Sequence, residues 1–226
     1  MALFPFFRNI EGAEVLVIGG GKHALEKVER LLPYGPRLHV IAEEVCEKLA
    51  AYAGEMRQES ETPAKMEKAQ PSLDKQVMIS RRKFVEEDLT ESIAFVIVAG
   101  DDPEENHWIA SLCRARRIPV NVVDDQEYCD FIFPSLISKG SLSVGICTNG
   151  ASPSTGVLLK KKIEAQIPDH IEEILDFLQE KRPQVKEAIT DKKKRFAFYY
   201  KLSEICMDED RALSREEFEK LLSEMQ

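Results

Sequence analysis

Short apolar runs alternate with helical periodicity along the first half of the chain. The run Glu14–Ile18 is followed by three glycines, which is typical of a buried parallel strand that leads into a tight turn. Apolar residues then recur at helical spacing as far as Leu32, and Pro33 and Gly35 predict the end of that helix. Further strands are predicted at Arg37–Ala42, Gln76–Ser80, Ala94–Ala99 and Pro119–Val123, and helices at Glu43–Ala53 and Pro103–Arg116. This alternation predicts an α/β domain built on a doubly wound parallel sheet.

The second half of the chain has a different pattern. Two strands, Phe131–Ser135 and Leu142–Cys147, are predicted on either side of a turn at Lys139–Gly140. From Ser154 to the end of the chain the pattern is helical. The predicted organisation is therefore an α/β domain over 1–115, a short β segment over 116–150 and a helical region over 151–226.

Composition separates one segment from the rest and excludes some functions. Residues 54–75 are rich in Glu, Lys, Gln, Ser and Pro, so we expect an exposed, mobile insertion there. The 226 residues carry 31 Lys and Arg against 40 Asp and Glu, a net charge of −9. This balance argues against a nucleic-acid partner, because phosphate contacts need a basic surface. It leaves room for a small anionic substrate, which responds to local charge.

Hydropathy and cysteine usage indicate the compartment. No apolar run approaches the ~20 residues that span a bilayer, and the N-terminus lacks the pattern of a signal peptide. We therefore expect no membrane association. The five cysteines are odd in number and form no C-x-x-C pair. This pattern favours reduced thiols in a cytoplasmic protein.

The glycine turn after the first strand is the strongest local motif. Gly19, Gly21 and Ala24 fit the pattern G-x-G-x-x-G/A between a strand and a helix, which favours dinucleotide binding over a purely structural turn. In such sites an acidic residue about 20 positions further on binds the ribose. Glu43 and Glu44 follow the second strand, and Glu43 is the candidate acceptor for a 2′-hydroxyl, which favours NAD. The alternative, that both glutamates only decorate a helix N-terminus, stays open.

Two polar segments are further candidates for chemistry. Asp124 follows a strand at the carboxyl edge of the sheet, where open α/β sheets bind ligands and a carboxylate can exchange a proton. Turn chemistry favours Asp at this position equally. The loop Thr148–Ser154 has backbone amides that can hold a carboxylate, and helix capping by Ser152 or Ser154 is the alternative. The four histidines show no metal-ligand spacing, so no preformed metal site is expected.

Several short segments follow one another in a characteristic order over about residues 1–170. They are Leu3–Pro5, Val17–Gly21, Ala99–Asp102 with Asn106, Val120–Asp124, Phe131–Ser135 and Asn149–Pro153. This ordered set resembles the N-terminal part of siroheme synthase and the stand-alone precorrin-2 dehydrogenases, some of which are also sirohydrochlorin ferrochelatases. The helical tail matches that family only in character.

The resemblance implies a homodimer with a Rossmann-like NAD-binding domain, a central dimerisation segment and a helical region. It implies NAD-dependent oxidation of precorrin-2, a tetrapyrrole, to sirohydrochlorin, and leaves iron insertion open. The family's key aspartate falls on Asp124, which could also guide the metal during chelation. The implied cofactor contacts are Gly19, Gly21, Lys22, His23, Glu43, Glu44, Gly100 and Asp101. The expected substrate contacts are Asn121, Thr148, Asn149, Gly150, Ser152 and Lys160.

The sequence departs from this family at several of the implied sites. Lys22 and His23 stand where the family usually has acidic, amide or apolar residues, and Gly100 stands where it often has Thr. Thr148 replaces a common Ser, and Lys160 replaces an Arg whose forked guanidinium Lys cannot reproduce. Two other functions therefore stay open. One is a non-catalytic NAD-sensing module, and the other is an unrelated small oxidoreductase with the same cofactor fold.

Overall fold

A computed structural model describes residues 3–52 and 76–224 of the chain. The predicted insertion at 54–75 and the end of the predicted helix Glu43–Ala53 lie outside the described residues. Contacts between residues divide the chain into two compact units, Met1–Ile132 and Phe133–Gln226.

The first unit is built on a five-stranded parallel sheet with the strand order β3-β2-β1-β4-β5. Its strands are β1 (Glu14–Ile18), β2 (Arg37–Ile41), β3 (Val77–Ser80), β4 (Ile93–Val98) and β5 (Val120–Val122). Its helices are α1 (Lys22–Leu31), α2 (Glu47–Ala50) and α3 (Pro103–Ala115). The order reverses direction between β1 and β4, so this pair is the switch point at which such sheets bind ligands. The predicted doubly wound sheet is confirmed.

The sequence of the central strands accounts for their burial. In β1, Val15, Leu16 and Val17 are fully buried, and β4 is buried from Phe95 to Val98. Such continuous burial is expected of a parallel strand that is covered on both faces. Helix α1 packs its apolar side chains inward and ends in a tight turn, where Gly35 has a left-handed backbone with φ 72°. The predicted stop of this helix is therefore confirmed.

The second unit combines a two-stranded antiparallel hairpin with four helices. The elements are β6 (Ser135–Lys139), β7 (Leu142–Ile146), α4 (Pro153–Glu164), α5 (Ile171–Ala188), α6 (Lys192–Asp208) and α7 (Arg215–Glu224). Aromatic side chains form the centre of its helical core. Phe198 and Phe218 are almost fully buried and meet edge to face, with ring centroids 6.2 Å apart.

Two elements differ from their predictions. No helix begins at Glu43: the chain there passes close to the glycine turn, where the amide of Cys46 donates to the carbonyl oxygen of Gly20, and α2 starts only at Glu47. The predicted strand Phe131–Ser135 is also wrong, because the hairpin starts at its last residue. The Phe131 ring instead packs edge to face on Phe95 in the first unit.

The boundary between the units also differs from the predicted division. Strand β5 pairs with β4 in the parallel sheet, and the first unit extends to Ile132. The predicted segment 116–150 is therefore shared between the two units.

All five cysteines are free. Cys113, Cys129 and Cys206 are buried, and Cys147 is exposed. Burial raises the pKa of the Cys113 thiol to about 12, and it also raises the pKa values of Cys129 and Cys206.

Candidate functional site

Two adjoining clefts lie at the carboxyl ends of the central strands in the first unit. We call the larger one, of about 510 Å³, the glycine cleft, because Gly19, Gly20 and Gly21 line it. We call the smaller one, of about 310 Å³, the aspartate cleft, because Asp124 lines it. Ala99, Gly100 and Asp101 line both clefts. The predicted cofactor turn and the predicted catalytic carboxylate therefore border neighbouring spaces at the switch point of the sheet.

The glycine turn is shaped by close contacts of its backbone. Gly19 has a φ of 116°, and a Cβ atom at this position would lie 2.4 Å from the carbonyl oxygen of Ala99. At Gly20 a Cβ atom would lie 2.0 Å from the carbonyl oxygen of Glu44. Both positions therefore require glycine. The requirement at Gly20 was not predicted, because its contact comes from a residue 24 positions away.

Gly21 differs from its two neighbours because it faces open space. A Cβ atom there would meet nothing within 4 Å. Gly21 is the N-cap of α1, which has no side-chain cap and no acidic residue in its first turn. Backbone N–H groups and the positive end of the helix dipole are thus free to bind an anion. This arrangement fits the pyrophosphate of a dinucleotide.

The two residues after Gly21 take different places. Lys22 is exposed and lines neither cleft, and its predicted contact with the cofactor stays a prediction. His23 lines the aspartate cleft, as Asp124 does, and does not line the glycine cleft.

Acidic and basic side chains lie together in the glycine cleft. Glu43 and Glu44 are exposed and line this cleft, in a bend before α2 and not at the N-terminus of a helix. This placement favours the ribose interpretation of Glu43. Arg82 and Lys83 also line the cleft, and the Nζ atom of Lys83 lies 3.9 Å from the Glu43 carboxylate. These two basic residues follow β3 at the same edge of the sheet, a signal that the sequence prediction missed.

Asp124 lies in the tight turn that follows β5. The amide of Val123 donates to the carbonyl oxygen of Val98 at 2.9 Å. The amide of Asp125 donates to the carbonyl oxygen of Val122 at 3.3 Å, which closes the turn. Between them Asp124 has a left-handed backbone with φ 61°, which Asp and Asn adopt more readily than most residues do. Its side chain is exposed and borders the cleft.

A histidine and a second aspartate complete the aspartate cleft, and no role was predicted for either. The Nε2 atom of His107 lies 2.7 Å from the Oδ2 atom of Asp125. The His107 ring stacks on Tyr128, with centroids 3.8 Å apart and planes 7° apart. His107 lies near the start of α3, directly after β4, and this position at the carboxyl edge of the sheet was the available signal.

Asn121 differs from its predicted role as a substrate contact. It is buried, it lines neither cleft, and its Nδ2 atom donates to the carbonyl oxygen of Phe131 at 2.9 Å. The same atom lies 3.3 Å from the sulfur of Cys129. The side chain of Asn121 thus holds together the segment that follows β5.

Gly100 has a structural explanation for its departure from the family pattern. The buried side chain of Asn106 donates to the carbonyl oxygen of Gly100 at 2.9 Å. A Cβ atom at Gly100 would lie 2.8 Å from the Asn106 Oδ1 atom. The small residue therefore allows Asn106 to fasten the loop that lines both clefts.

The other predicted substrate residues lie in the second unit. The Thr148 hydroxyl donates to the carbonyl oxygen of Ser152 at 3.1 Å, and the Ser152 hydroxyl caps α4 by accepting from the amide of Thr155. Asn149 and Gly150 are exposed and have left-handed backbones. Lys160 is half-buried on α4. The capping alternative is thus realised, and the substrate contacts in this loop stay predictions.

Two further observations concern the described residues only. Within 3–52 and 76–224, no three His, Cys, Asp or Glu side chains lie close enough to hold a metal ion. None of the helices in these ranges is both long enough and apolar enough to cross a membrane.

Comparison with known proteins adds relatives to this geometry. Siroheme synthase of Thioalkalivibrio sulfidiphilus is 33% identical over 98% of this chain and 42% of its own length. Siroheme synthase of Neisseria meningitidis serogroup C is 29% identical over 89% of this chain and 38% of its own length. The chain therefore spans about two fifths of the length of these curated relatives.

A solved structure of SirC, precorrin-2 dehydrogenase, shares the fold. It superposes with a TM-score of 0.64 at 22% identity, covering 99% of this chain and 98% of the other. The family model described as "Putative NAD(P)-binding" matches residues 6–135, which is more than half of the chain and includes both clefts. The prediction of a nicotinamide dinucleotide cofactor is thereby confirmed, and the chain belongs to this NAD(P)-binding family.

Proposed function

We propose that the chain catalyses the NAD-dependent oxidation of precorrin-2 to sirohydrochlorin. The observation that carries this proposal is that the two clefts share Gly100 and Asp101, so the glycine turn and Asp124 lie on either side of the same loop. The names of the relatives, siroheme synthase and precorrin-2 dehydrogenase, support the same reaction. A sensing module would need the glycine cleft alone and gives no reason for a carboxylate beside it.

The residues of the first unit have separate tasks in this reaction. When bound, NAD⁺ takes two electrons and one hydrogen from the substrate. The backbone amides at the start of α1 hold the pyrophosphate, and Glu43 accepts a hydrogen bond from the ribose. Asp124 accepts the proton that the substrate loses, because its exposed carboxylate borders the cleft next to the glycine turn.

The variant Asp124→Asn tests the role of the carboxylate. Asn also adopts a left-handed backbone, so this change removes the charge without straining the turn. We expect NAD⁺-dependent formation of sirohydrochlorin, followed anaerobically by absorbance, to fall by about 10²–10⁴-fold, as for loss of a general base. Binding of NAD⁺ should stay as in the wild type.

The matched control is Asp210→Asn in the second unit, because Asp210 also has a left-handed backbone, with φ 49°. This variant should turn over at the wild-type rate. Full activity of Asp124→Asn would show that Asp124 is not the base. A wild-type protein that binds NAD⁺ but does not oxidise precorrin-2 would refute the proposed function and favour the sensing module.

The homodimer and the cytoplasmic location also belong to this proposal. Helix α4 exposes Val157, Leu158 and Ile163, with 48%, 59% and 37% of their surfaces accessible. Apolar side chains grouped on one exposed helix support an interface with a second copy of the chain. Light scattering measures the mass in solution and so tests for the homodimer.

The free cysteines support a reducing compartment. Ferrochelatase activity stays a prediction, and anaerobic addition of Fe²⁺ to sirohydrochlorin tests it.

A further inference from the structure

The pair formed by His107 and Asp125 lies in the aspartate cleft and has no task in the mechanism above. We propose that His107 takes the proton from Asp124 and passes it to solvent, while Asp125 positions and polarises the His107 ring. This inference rests on the proposed function, because it concerns the proton that the oxidation releases. It adds a second proton-handling residue to the site.

The contacts of the ring determine which nitrogen can accept a proton. The Nε2 atom of His107 lies 2.7 Å from the Asp125 carboxylate, and an ionised carboxylate can only accept a hydrogen bond. In the neutral ring Nε2 therefore carries the hydrogen, and Nδ1 carries the free lone pair. The stack on Tyr128 fixes the plane of the ring.

The exposure of the pair allows exchange with water. The side chains of His107 and Asp125 are 36% and 34% exposed, so the ring contacts both the cleft and the solvent. His107 and Asp124 line the same cleft of about 310 Å³, which is large enough to hold water molecules. The cleft and the exposed ring therefore offer a proton a route from Asp124 to solvent.

The transfer balances as a simple proton movement. The O–H bond formed on Asp124 breaks, its electron pair stays on the carboxylate, and an N–H bond forms at Nδ1 of His107. Solvent then removes this proton, which restores both residues for the next turnover. Asp125 compensates the positive charge of the ring during the step, as a carboxylate does beside a catalytic histidine.

A purely structural role for His107 is the competing explanation. Asp125 also helps to build the turn, since its amide donates to Val122 and its carbonyl oxygen accepts from the amide of Tyr128. His107 could therefore act only by holding Asp125 in place. The variant His107→Gln separates the two roles, because the Gln amide can donate to Asp125 but cannot take up a proton.

Nitrogen-15 NMR of the histidine rings tests the starting state without any turnover. The signal that disappears in His107→Gln identifies His107. We expect a hydrogen on Nε2 and a free lone pair on Nδ1 in the neutral ring. A ring with its hydrogen on Nδ1 would overturn the proposal.

Single-turnover oxidation of precorrin-2 with saturating NAD⁺ tests the transfer itself. In His107→Gln we expect the rate to fall by about tenfold, which is less than the ~10²–10⁴-fold effect of losing a direct general base. The solvent deuterium isotope effect should rise, and the affinity for NAD⁺ should not change. The control is His170→Gln in the second unit, where His170 also pairs with an aspartate, Asp210. It should match the wild type.

Two results keep this test decisive. A wild-type rate and isotope effect in His107→Gln would overturn the proposal, whereas a wild-type protein without precorrin-2 oxidation would overturn the proposed function instead. If His107→Gln does not fold, Asp125→Asn replaces it, because its amide oxygen still accepts from Nε2 but carries no charge. A wild-type rate in folded Asp125→Asn would also overturn the proposal.

Discussion

The two units of the chain are specified by different kinds of contact. At the glycine turn of the first unit the decisive contacts are between backbone atoms, as where Gly20 meets the carbonyl oxygen of Glu44. In the second unit they are between side chains, as where Phe198 meets Phe218. Backbone contacts accept almost no change, while side-chain cores tolerate substitutions of similar volume. Two positions of the candidate site, Gly19 and Gly20, therefore accept almost no substitution.

The two units also place their histidines differently. His39 lies in β2, where its Nε2 atom is 2.9 Å from the Ser80 hydroxyl, and burial lowers its pKa from 6.5 to about 4. His170 lies before α5, more than half exposed, beside Asp210. Because burial lowers the pKa of His39, the stability of the first unit depends on pH through this residue.

The largest effect is expected from Gly20→Ala. The new Cβ atom would lie 2.0 Å from a backbone oxygen that cannot move without displacing the chain before α2. We expect loss of the folded first unit, seen as loss of NAD⁺ binding and of its unfolding transition in calorimetry. Gly21→Ala is the matched control, since its Cβ atom meets nothing within 4 Å. It should fold normally and bind NAD⁺ more weakly. A stable Gly20→Ala protein would contradict the backbone explanation.

A smaller effect is expected from Phe198→Ala in the second unit. The fully buried ring leaves a cavity, and we expect the free energy of unfolding to fall by about 3–5 kcal/mol in denaturant titrations. Phe196→Ala, on the same helix but 72% exposed, should change it by less than about 0.5 kcal/mol. Equal losses in both variants would show that the second core does not depend on this ring.

The smallest effect is expected from the titration of His39. Above pH 6.5 the ring is neutral in both states, so its full contribution is present. As the pH falls from 6.5 towards 4, only the unfolded state takes up the proton, and stability falls by up to roughly 3 kcal/mol. His39→Gln keeps a partner for Ser80 and should remove this part of the pH dependence in denaturant titrations. Parallel curves for the two proteins would contradict it.

Local patterns were enough to predict the framework of the site. The strand before the glycines, helix α1 and the carboxylate at the edge of the sheet all depend on neighbouring residues, and the structure has them where expected. The second half of the chain gave weaker signals. The apolar residues at Phe131 looked like a strand, but the Phe131 ring packs edge to face on the buried ring of Phe95.

The features that were missed depend on contacts between distant positions. Gly20 is fixed by Glu44, and His107 is paired with Asp125, which lies 18 residues further on. Asn121 was expected to contact the substrate and lies within one of the segments that resemble the family, yet its amide donates to the carbonyl oxygen of Phe131. Periodicity and spacing carry no information about such pairings, which exist only once the sheet has formed.

The distribution of thiols allows selected positions of the natural protein to be labelled with a dye. Cys113, Cys129 and Cys206 are buried and remain protonated near neutral pH, so maleimide dyes react with them slowly. Cys46, partly accessible, lines the glycine cleft, and the exposed Cys147 adjoins the Thr148 loop. Fluorescent labelling would therefore mark one position in each unit without any engineered residue, and occupancy of either region can be followed in the natural sequence.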